Sequence, residues 1–302
     1  MRTKASAKTV QHGLHVVTAL ICLFGASTVL AQEPRRITIV YDAFGPKSEL
    51  KKDWGYAALV EYGGKRILFD TGNNREIFEH NIGRLSIDLK QLDAVVISHR
   101  HGDHTSGLPY LLEQNPAIKV YAPQEGAFFK GIAPAEFLKP DRSLPPEMRY
   151  FEGEERTQIR SGSPWDANFE VVTKTVEIFP GVFAITTRSQ KPGTVEMNEL
   201  SLAIKTPKGL AVVVGCSHPG VEKILESATQ IDSRLYTVTG GFHLVLAPQS
   251  EVERTANALH DTLKVERVAP GHCTSELGFS VLMKRFDRRF DRAGLGTILP
   301  LP

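Results

Sequence analysis

Three histidines and an aspartate stand within six residues, directly after a short run of β-branched residues. The run at residues 95–97 predicts a buried strand. The loop that follows it carries His99, His101, Asp103 and His104. Imidazole nitrogens and a carboxylate oxygen suit zinc or a similar divalent ion, and residues two apart at a strand end can converge on one side. The alternative is a solvated loop in which Asp103 caps a following helix, but the density of donors favours a metal site.

Three later loops, each at the end of a predicted strand, carry one more histidine apiece. They are His218, His243 and His272, and Cys216 lies two residues before the first of them. Cys216 is open to two interpretations, a thiolate ligand or a small buried apolar residue. It could pair with Cys273 in an oxidising compartment, but we expect free thiols, because each cysteine must leave its neighbouring histidine free to point at metal.

The motif at residues 99–104, His-x-His-x-Asp-His, resembles the signature of the metallo-β-lactamase superfamily. The turn at residues 70–72, Asp-Thr-Gly, resembles that superfamily's strand-ending turn. The segments at residues 214–220, 240–244 and 270–274 resemble the branch named after the dihydropterin-ribofuranosylaminobenzene-phosphate synthases. The resemblance implies an α/β fold of the αββα type, a four-layer sandwich in which two sheets face each other with helices outside. Its ligand loops would gather at one edge.

By the same resemblance, one metal ion would be held by His99 and His101 and a second by Asp103 and His104, each with a later histidine. Many members of the superfamily place that later ligand in a region that corresponds to residues 185–200, where this sequence has no histidine. This sequence instead offers three later histidines at strand ends: His218, His243 and His272.

We expect His218 to complete the first metal site and His272 the second. Cys216 falls where other members carry a bridging aspartate or a ligand cysteine, so it is a further candidate ligand. His243 is then left near the substrate as a proton donor or an oxyanion contact, and we assign it a catalytic role together with Asp103. The resemblance also implies that Asp70 supports the ligand loop without touching metal.

Metal held by such donors indicates hydrolysis. Protein ligands leave an open position for water, whose pKa the ion lowers to about 7, and a second ion at about 4 Å would steady a developing oxyanion. Asp103 is placed to orient the metal-activated hydroxide. We therefore predict a metallo-hydrolase that holds two zinc ions and acts on a small ester, lactone, amide or phosphodiester. Manganese and iron suit the same ligands and are kept as alternatives.

Two other functions stay open. The branch resemblance suggests a synthase that joins a pterin to a phosphorylated ribosyl-aminobenzene. Such substrates are cytoplasmic, which an export signal would contradict, and residues 123–166 offer only four scattered basic residues for a phosphate, namely Lys130, Lys139, Arg142 and Arg149. The other alternative is a non-catalytic metal-binding or ligand-binding protein. Asp103 disfavours it, because structural zinc sites more often recruit cysteines.

The first 31 residues predict a cleaved secretory signal peptide. Three basic residues precede an apolar run at residues 16–30, and small residues end that run before Gln32. The run is short for a membrane anchor and contains hydroxyl side chains. We expect cleavage after Ala31, a periplasmic or secreted protein, and no stable membrane anchor afterwards.

The mature chain, residues 32–302, predicts a single domain. Removal of the signal takes away three basic and no acidic residues, which brings the chain close to neutral, and no basic stripe points to nucleic acid. A small-molecule substrate is therefore the expected partner. Residues 123–166 show no clear pattern of strands or helices, and so long a loop inside a domain predicts an inserted lid. Its aromatic residues are candidate walls of the substrate site or anchors of the insertion: Phe128, Phe129, Tyr150 and Phe151.

Overall fold

Short apolar runs form strands along most of the chain. The computed structural model describes residues 33–124, 132–134, 142–160, 166–190 and 197–302. The predicted signal peptide lies outside these residues, as do Phe128 and Phe129 of the predicted lid. In chain order the strands are β1 (Arg36–Tyr41), β2 (Ala57–Tyr62), β3 (Lys65–Phe69), β4 (Ala94–Val96), β5 (Lys119–Pro123), β6 (Ile132–Pro134), β7 (Gln158–Arg160), β8 (Asn168–Val172), β9 (Val176–Phe179), β10 (Val182–Arg188), β11 (Asn198–Thr206), β12 (Gly209–Val214), β13 (Leu235–Gly241), β14 (Arg267–Gly271) and β15 (Ile298–Pro300).

Seven of the described strands form the first sheet, in the order β15-β1-β2-β3-β4-β5-β8. Neighbours from β15 to β3 pair antiparallel, and neighbours from β3 to β8 pair parallel. Gly63 and Gly64 both have positive φ and close the β2–β3 hairpin, which confirms the hairpin predicted from the sequence. Because β3 and β4 run in the same direction, their carboxyl ends bring Asp70 and Ser98 into contact at one edge.

The second sheet has six of the described strands, in the order β14-β13-β12-β11-β10-β9. Strands β9 to β12 form an antiparallel meander, whereas β12, β13 and β14 are parallel. Strand β12 is buried along its whole length, which explains its unbroken apolar sequence at residues 210–214. The three parallel strands end at a common edge, where they release the loops that carry Cys216, His243 and His272.

Helices connect the strands on the outer faces. Their bounds are α1 (Arg75–Arg84), α2 (Gly102–Thr105), α3 (Leu108–Gln114), α4 (Val221–Ala228), α5 (Gln249–Asn257) and α6 (Glu276–Phe286). Asn74 caps α1, because its side chain accepts the Ile77 N–H. The sequence pattern predicts that the last helix continues to Phe290, which is wrong. It ends at Phe286, because Asp287 adopts a left-handed conformation (φ 49°) and donates its N–H to the Met283 carbonyl.

Three apolar clusters separate four layers of structure. One lies between the sheets, a second between the first sheet and α1 and α3, and a third between the second sheet and α4, α5 and α6. Each fully buried Leu, Ile or Val in these clusters contributes roughly 1.5–3 kcal/mol relative to exposure. The order helix, sheet, sheet, helix confirms the predicted αββα sandwich.

The described parts of the predicted lid lie largely at the surface. Strands β6 and β7 form a separate antiparallel pair. Tyr150 and Phe151 are 69% and 43% exposed, so neither ring is buried against the sandwich. The Arg156 guanidinium lies over the Phe151 ring, 4.1 Å from its centroid. A lid function for residues 123–166 stays a prediction. None of the helices among the described residues is long and apolar enough to cross a membrane.

Candidate metal centre

The loop after β4 directs histidines from one strand end to a common point. His99 and His104 are fully buried, whereas His101 is exposed. The single turn of α2 begins directly after His101 and carries both Asp103 and His104. Because the turn changes the chain direction after His101, His101 reaches one group of candidate ligands while Asp103 and His104 reach another.

Three imidazoles form the first group, which we call the three-histidine set: His99, His101 and His218. Each offers one ring nitrogen, and these atoms all lie within 4.8 Å of one another. The Nε2 atom of His99 and the Nδ1 atom of His101 are 3.1 Å apart. The His218 ring centroid is 4.7 Å from that of His99 and 4.9 Å from that of His101.

The second group, which we call the mixed set, consists of Asp103, His104, Cys216 and His272. The Cys216 Sγ atom is 3.2 Å from His104 Nε2 and 3.3 Å from His272 Nε2. The Asp103 Oδ2 atom is 3.7 Å from His104 Nε2 and 3.4 Å from His272 Nε2. Bonds of about 2.0 Å to nitrogen or oxygen and about 2.3 Å to sulfur place the ligands of a tetrahedral zinc ion about 3.3–3.6 Å apart. The mixed set therefore fits one tetrahedral ion.

The structure places His218 in the first group and His272 in the second, as predicted, and it adds Cys216 to the second group. The two groups adjoin, since the ring centroids of His99 and His104 are 4.2 Å apart. His243 belongs to neither group. Its ring lies 4.5 Å from that of His218, and its backbone is left-handed (φ 52°). Metal binding and the catalytic assignments stay predictions.

Asp70 supports a ligand from each set without facing either. The carboxylate is fully buried at the end of β3 and accepts hydrogen bonds from the Ser98 N–H, the Ser98 hydroxyl and His104 Nδ1, each at 2.7 Å. The Ser98 hydroxyl proton is used by Asp70, so its oxygen accepts from His99 Nδ1 at 2.8 Å. We therefore assign a lone pair to the Nε2 atoms of both His99 and His104, as metal ligation requires.

Glu199 is a functional candidate that the sequence reasoning missed. It is fully buried at the start of β11 and accepts the N–H groups of Cys216, Ser217 and His218 at 2.7–3.0 Å. It also accepts from His218 Nδ1 at 3.1 Å, which leaves His218 Nε2 with a lone pair toward the three-histidine set. An acidic residue beside the alternating apolar residues Leu200, Leu202 and Ile204 was the one signal in the sequence. Its significance depends on which loop lies over it.

Asp42 holds the backbone of the loop that carries His272. It is fully buried after β1, and its carboxylate accepts the His272 N–H at 3.1 Å and the Ala43 N–H at 2.7 Å. Burial raises the pKa of Asp42 to about 7, although these N–H groups oppose the shift. The residue holds a ligand loop from the opposite sheet.

Without an ion, three of the candidate ligand histidines prefer their neutral form: His99, His101 and His272. Burial and the neighbouring histidines keep the pKa of His99 well below its usual value. Burial also lowers the pKa of His101 and of His272 to about 4. Burial alone would lower the pKa of His104, but the Asp70 carboxylate outweighs it and raises that pKa to about 9. Burial raises the pKa of the Cys216 thiol. A buried thiolate there needs a cation beside it, which is what a metal ion would provide.

Among the described residues, Cys216 and Cys273 are both free and buried. The Cys273 thiol points at the Cys216 carbonyl at 3.5 Å, whereas the Cys216 thiol faces the mixed set. Gly241 lies between them. A Cβ atom at Gly241 would stand 2.6 Å from the Gly215 carbonyl oxygen and 2.7 Å from Cys273 Sγ, so only glycine fits.

Aromatic residues lie beside the mixed set. Trp54 is 44% exposed, and its ring centroid is 5.0 Å from that of His272. A mostly apolar cavity of about 650 Å³ is lined in part by Pro270 of β14, and none of the seven candidate ligands lines it. The rings of Phe44 and Phe279, 4.8 Å apart, line it. Arg292 also lines this cavity, and it is exposed with no acceptor for its guanidinium among the described residues.

Known proteins resemble the chain over most of its length. It is 29% identical over 290 residues to the 7,8-dihydropterin-6-methyl-4-(beta-D-ribofuranosyl)-aminobenzene-5'-phosphate synthase of Methanocaldococcus jannaschii, which covers 87% of this chain and 95% of that enzyme. Among solved structures, Tm1679, described as a metal-dependent hydrolase of the beta-lactamase superfamily, superposes with a TM-score of 0.67 and 25% identity over 87% of this chain and 98% of Tm1679.

The fold recurs in more distant proteins. The metallo-beta-lactamase fold protein YhfI of Bacillus subtilis superposes with a TM-score of 0.56 over 89% of this chain and 99% of YhfI, at 12% identity. The model of the Metallo-beta-lactamase superfamily matches residues 55–191, which include the loop after β4 and its four ligands. Together with the sandwich and the two donor sets at its edge, these similarities confirm the predicted resemblance to the metallo-beta-lactamase superfamily.

Proposed function

We propose that the chain is a metal-dependent enzyme whose two donor sets hold two zinc ions. The spacing of the mixed set supports one tetrahedral ion, and Asp70 and Glu199 orient three imidazoles with their Nε2 lone pairs toward the ligand groups. A thiolate donor favours zinc, whereas imidazole and carboxylate donors alone also suit manganese and iron. Cys216 is therefore the residue that argues for zinc.

Bound divalent ions stabilise negative charge on a substrate oxygen and lower the pKa of water. Asp103 is the least buried member of the mixed set, with 18% of its side chain exposed, so it contacts that set and also orients a water or substrate group at the mouth. His243 lies beside His218 but in neither set, so it can donate a proton without removing a ligand. These are the two catalytic roles that we propose.

We infer that the substrate is aromatic and phosphorylated, and that the reaction joins a 7,8-dihydropterin to a ribosyl-aminobenzene phosphate. The observation that carries this inference is the similarity to the Methanocaldococcus jannaschii synthase along 95% of that enzyme. A separate cavity, whose lining includes Pro270 but none of the candidate ligands, adds support, because Phe44 and Phe279 offer aromatic walls and Arg292 offers a guanidinium to a phosphate. Arg292 lies outside residues 123–166, where the sequence showed only scattered basic residues.

Hydrolysis of a small ester, lactone, amide or phosphodiester is the second candidate. It is supported by the three-histidine set, whose three donors leave a fourth position open for water, and by the 25% identity to Tm1679, which is described as a metal-dependent hydrolase. The two candidates share the metal centre and differ in the group that attacks: an aromatic amine in the synthase, water in the hydrolase.

One experiment separates the candidates. Zinc-loaded protein is incubated with a 7,8-dihydropterin that carries an activated 6-hydroxymethyl group, with and without the ribosyl-aminobenzene phosphate, and products are identified by mass spectrometry. A joined product that requires both substrates supports the synthase. Hydrolysis of the pterin ester, or of members of an ester, lactone and phosphodiester panel, with no joined product supports the hydrolase. Loss of either activity on chelation, and its return with zinc, is the control for the metal.

We further propose that the chain is exported and cleaved after Ala31, and that it acts on a small molecule and not on nucleic acid. The apolar run at residues 16–30 and the small residues at its end support export. Mass spectrometry of protein from the culture medium or periplasm is expected to show an N-terminus at Gln32. An intact Met1 on the exported protein would rule this out. Export combined with synthase activity would require a substrate that is itself present outside the cytoplasm.

A further inference from the structure

A single buried carboxylate lies beneath the loop that supplies one ligand to each donor set. Residues 216–218 follow β12 and carry Cys216 of the mixed set and His218 of the three-histidine set. Ser217 between them has a left-handed backbone (φ 63°), which is unfavourable for a residue other than glycine. This conformation turns three consecutive N–H groups inward, toward Glu199.

The hydrogen bonds use both oxygens of Glu199. Oε1 accepts the N–H groups of Cys216 at 3.0 Å and Ser217 at 2.7 Å, and Oε2 accepts the N–H and the Nδ1 atom of His218 at 2.8 and 3.1 Å. Every group around the carboxylate is a donor. A glutamine in this place would offer one acceptor and turn its NH₂ group toward two donors, whichever way its amide is oriented. The site therefore requires a carboxylate and not merely a side chain of this size.

The neighbours of Glu199 on the same face of the sheet provide a comparison. Thr187 lies directly opposite Glu199 in the β10–β11 register, and Ser201 is two residues further along β11. Both side chains are buried, and their hydroxyl groups have no hydrogen-bond partner among the described residues. These two residues lie on the same face of the sheet as Glu199, but their hydroxyl groups form no hydrogen bond with the ligand loop.

We propose that Glu199 is a positioning residue that couples the two donor sets, because it fixes Cys216 for one ion and His218 for the other through a single loop. Loss of its carboxylate is expected to lower the affinity for both ions, whereas loss of a ligand from one set is expected to lower the affinity of that set first. The proposal depends on the metal centre but not on which reaction the enzyme performs.

The test compares three variants reloaded with Co²⁺: Glu199→Gln, His218→Ala and Ser201→Ala. Bound cobalt is counted by elemental analysis, and the charge-transfer absorption from the Cys216 thiolate to cobalt reports on the mixed set. Glu199→Gln is expected to lose at least about 10-fold in affinity for both ions, with a weakened thiolate band, as for other residues that orient ligands. His218→Ala is expected to lose the ion of the three-histidine set and keep the thiolate band. Ser201→Ala is expected to match the wild type.

Two results would overturn the proposal. One is a Glu199→Gln protein that keeps both ions at wild-type affinity, and the other is one that loses only the ion of the three-histidine set while its thiolate band stays unchanged. A measurement on the unaltered chain covers the case in which Glu199→Gln does not fold. In metal-free wild-type protein, the N–H groups of residues 216–218 are expected to exchange with solvent as slowly as the core strands. Rapid exchange of these groups would equally reject the role of Glu199.

Discussion

The two donor sets share one edge of the sandwich but differ in charge and exposure. The three-histidine set offers neutral imidazoles, and its member His101 is exposed. The mixed set combines two imidazoles with the carboxylate of Asp103 and the thiol of Cys216, and its members other than Asp103 are buried. Negative donors in a buried place hold a divalent cation more strongly than neutral donors near solvent. The ion of the mixed set is therefore expected to be resident, and the ion of the three-histidine set is expected to exchange more easily.

The largest effect is expected from Asp103→Ala, which removes a negative ligand from the mixed set. Substitution of a residue that merely orients a ligand costs about 10- to 100-fold in metal affinity, so loss of the ligand itself is expected to cost more than about 100-fold. Metal content after dialysis should fall to about one ion per chain, with an unchanged circular dichroism spectrum. Asp166→Ala, at an exposed aspartate, is the control. Wild-type metal content in Asp103→Ala would reject the assignment.

His101→Ala tests the three-histidine set. It removes the exposed member of the three-histidine set and leaves the mixed set intact, so we expect loss of the exchangeable ion and retention of the resident one. Titration with a competing chelator should show one remaining ion with wild-type affinity. His80→Ala, at a histidine on α1 outside both sets, should retain both ions. If His101→Ala lost both ions, the two sets would not differ as proposed.

The free energy of unfolding of the metal-free protein is expected to depend on pH through His272. His272 has a pKa of about 4 when folded and about 6.5 when unfolded, so the unfolded chain binds more protons between these values, and the free energy of unfolding falls as the pH falls from about 6.5 to about 4. At 1.36 kcal/mol for each pH unit, the loss is about 3 kcal/mol. The stability advantage of the wild type over His272→Asn should shrink by this amount, measured by urea denaturation.

The difference between the two proteins is the quantity to measure, because other buried groups titrate as well. Asp42 keeps its proton up to about pH 7 when folded, so its contribution to stability falls as the pH rises from about 4 to about 7, opposite in sign to that of His272. The raised pKa of His104 adds stability that is lost only as the pH rises from about 6.5 toward about 9. Neither group is changed in His272→Asn. A difference that does not vary with pH would contradict the lowered pKa of His272.

The smallest effect is expected from Cys273→Ala. Its thiol lies 3.5 Å from the Cys216 carbonyl oxygen and belongs to neither set, so metal content should stay the same and stability should change by about 1 kcal/mol or less. Cys216→Ala provides the contrast, because it should lose the resident ion. Denatured, metal-free protein prepared without reductant should show both thiols. Absence of reactive thiols would indicate a disulfide and remove Cys216 from the mixed set.

The strands and the candidate ligands were predicted from local patterns, whereas the sandwich and the division of the ligands between two ions were implied by the family resemblance. A ligand such as His272 is recognisable from its type and its place after a strand, and Asp70 from its turn. Glu199 and Asp42 were not recognised, because their partners lie on other elements and become visible only when strand register and loop direction are known. The early end of α6 was missed for a local reason, since the left-handed conformation of Asp287 leaves no mark in an apolar pattern that continues to Phe290.

The contact between His104 and Cys216 joins residues 112 positions apart in the chain, on loops that belong to different sheets. Closing so long a segment costs conformational entropy, which earlier contacts must offset before this contact forms. We therefore expect the mixed set to assemble late in folding. Neither half of the chain can hold the resident ion alone. Metal loading therefore follows folding, and a chain still unfolded during transit through a membrane would acquire its ions only at its destination. Once bound, the ions stabilise the folded state by mass action, so resistance to heat should depend on the free metal concentration of the compartment.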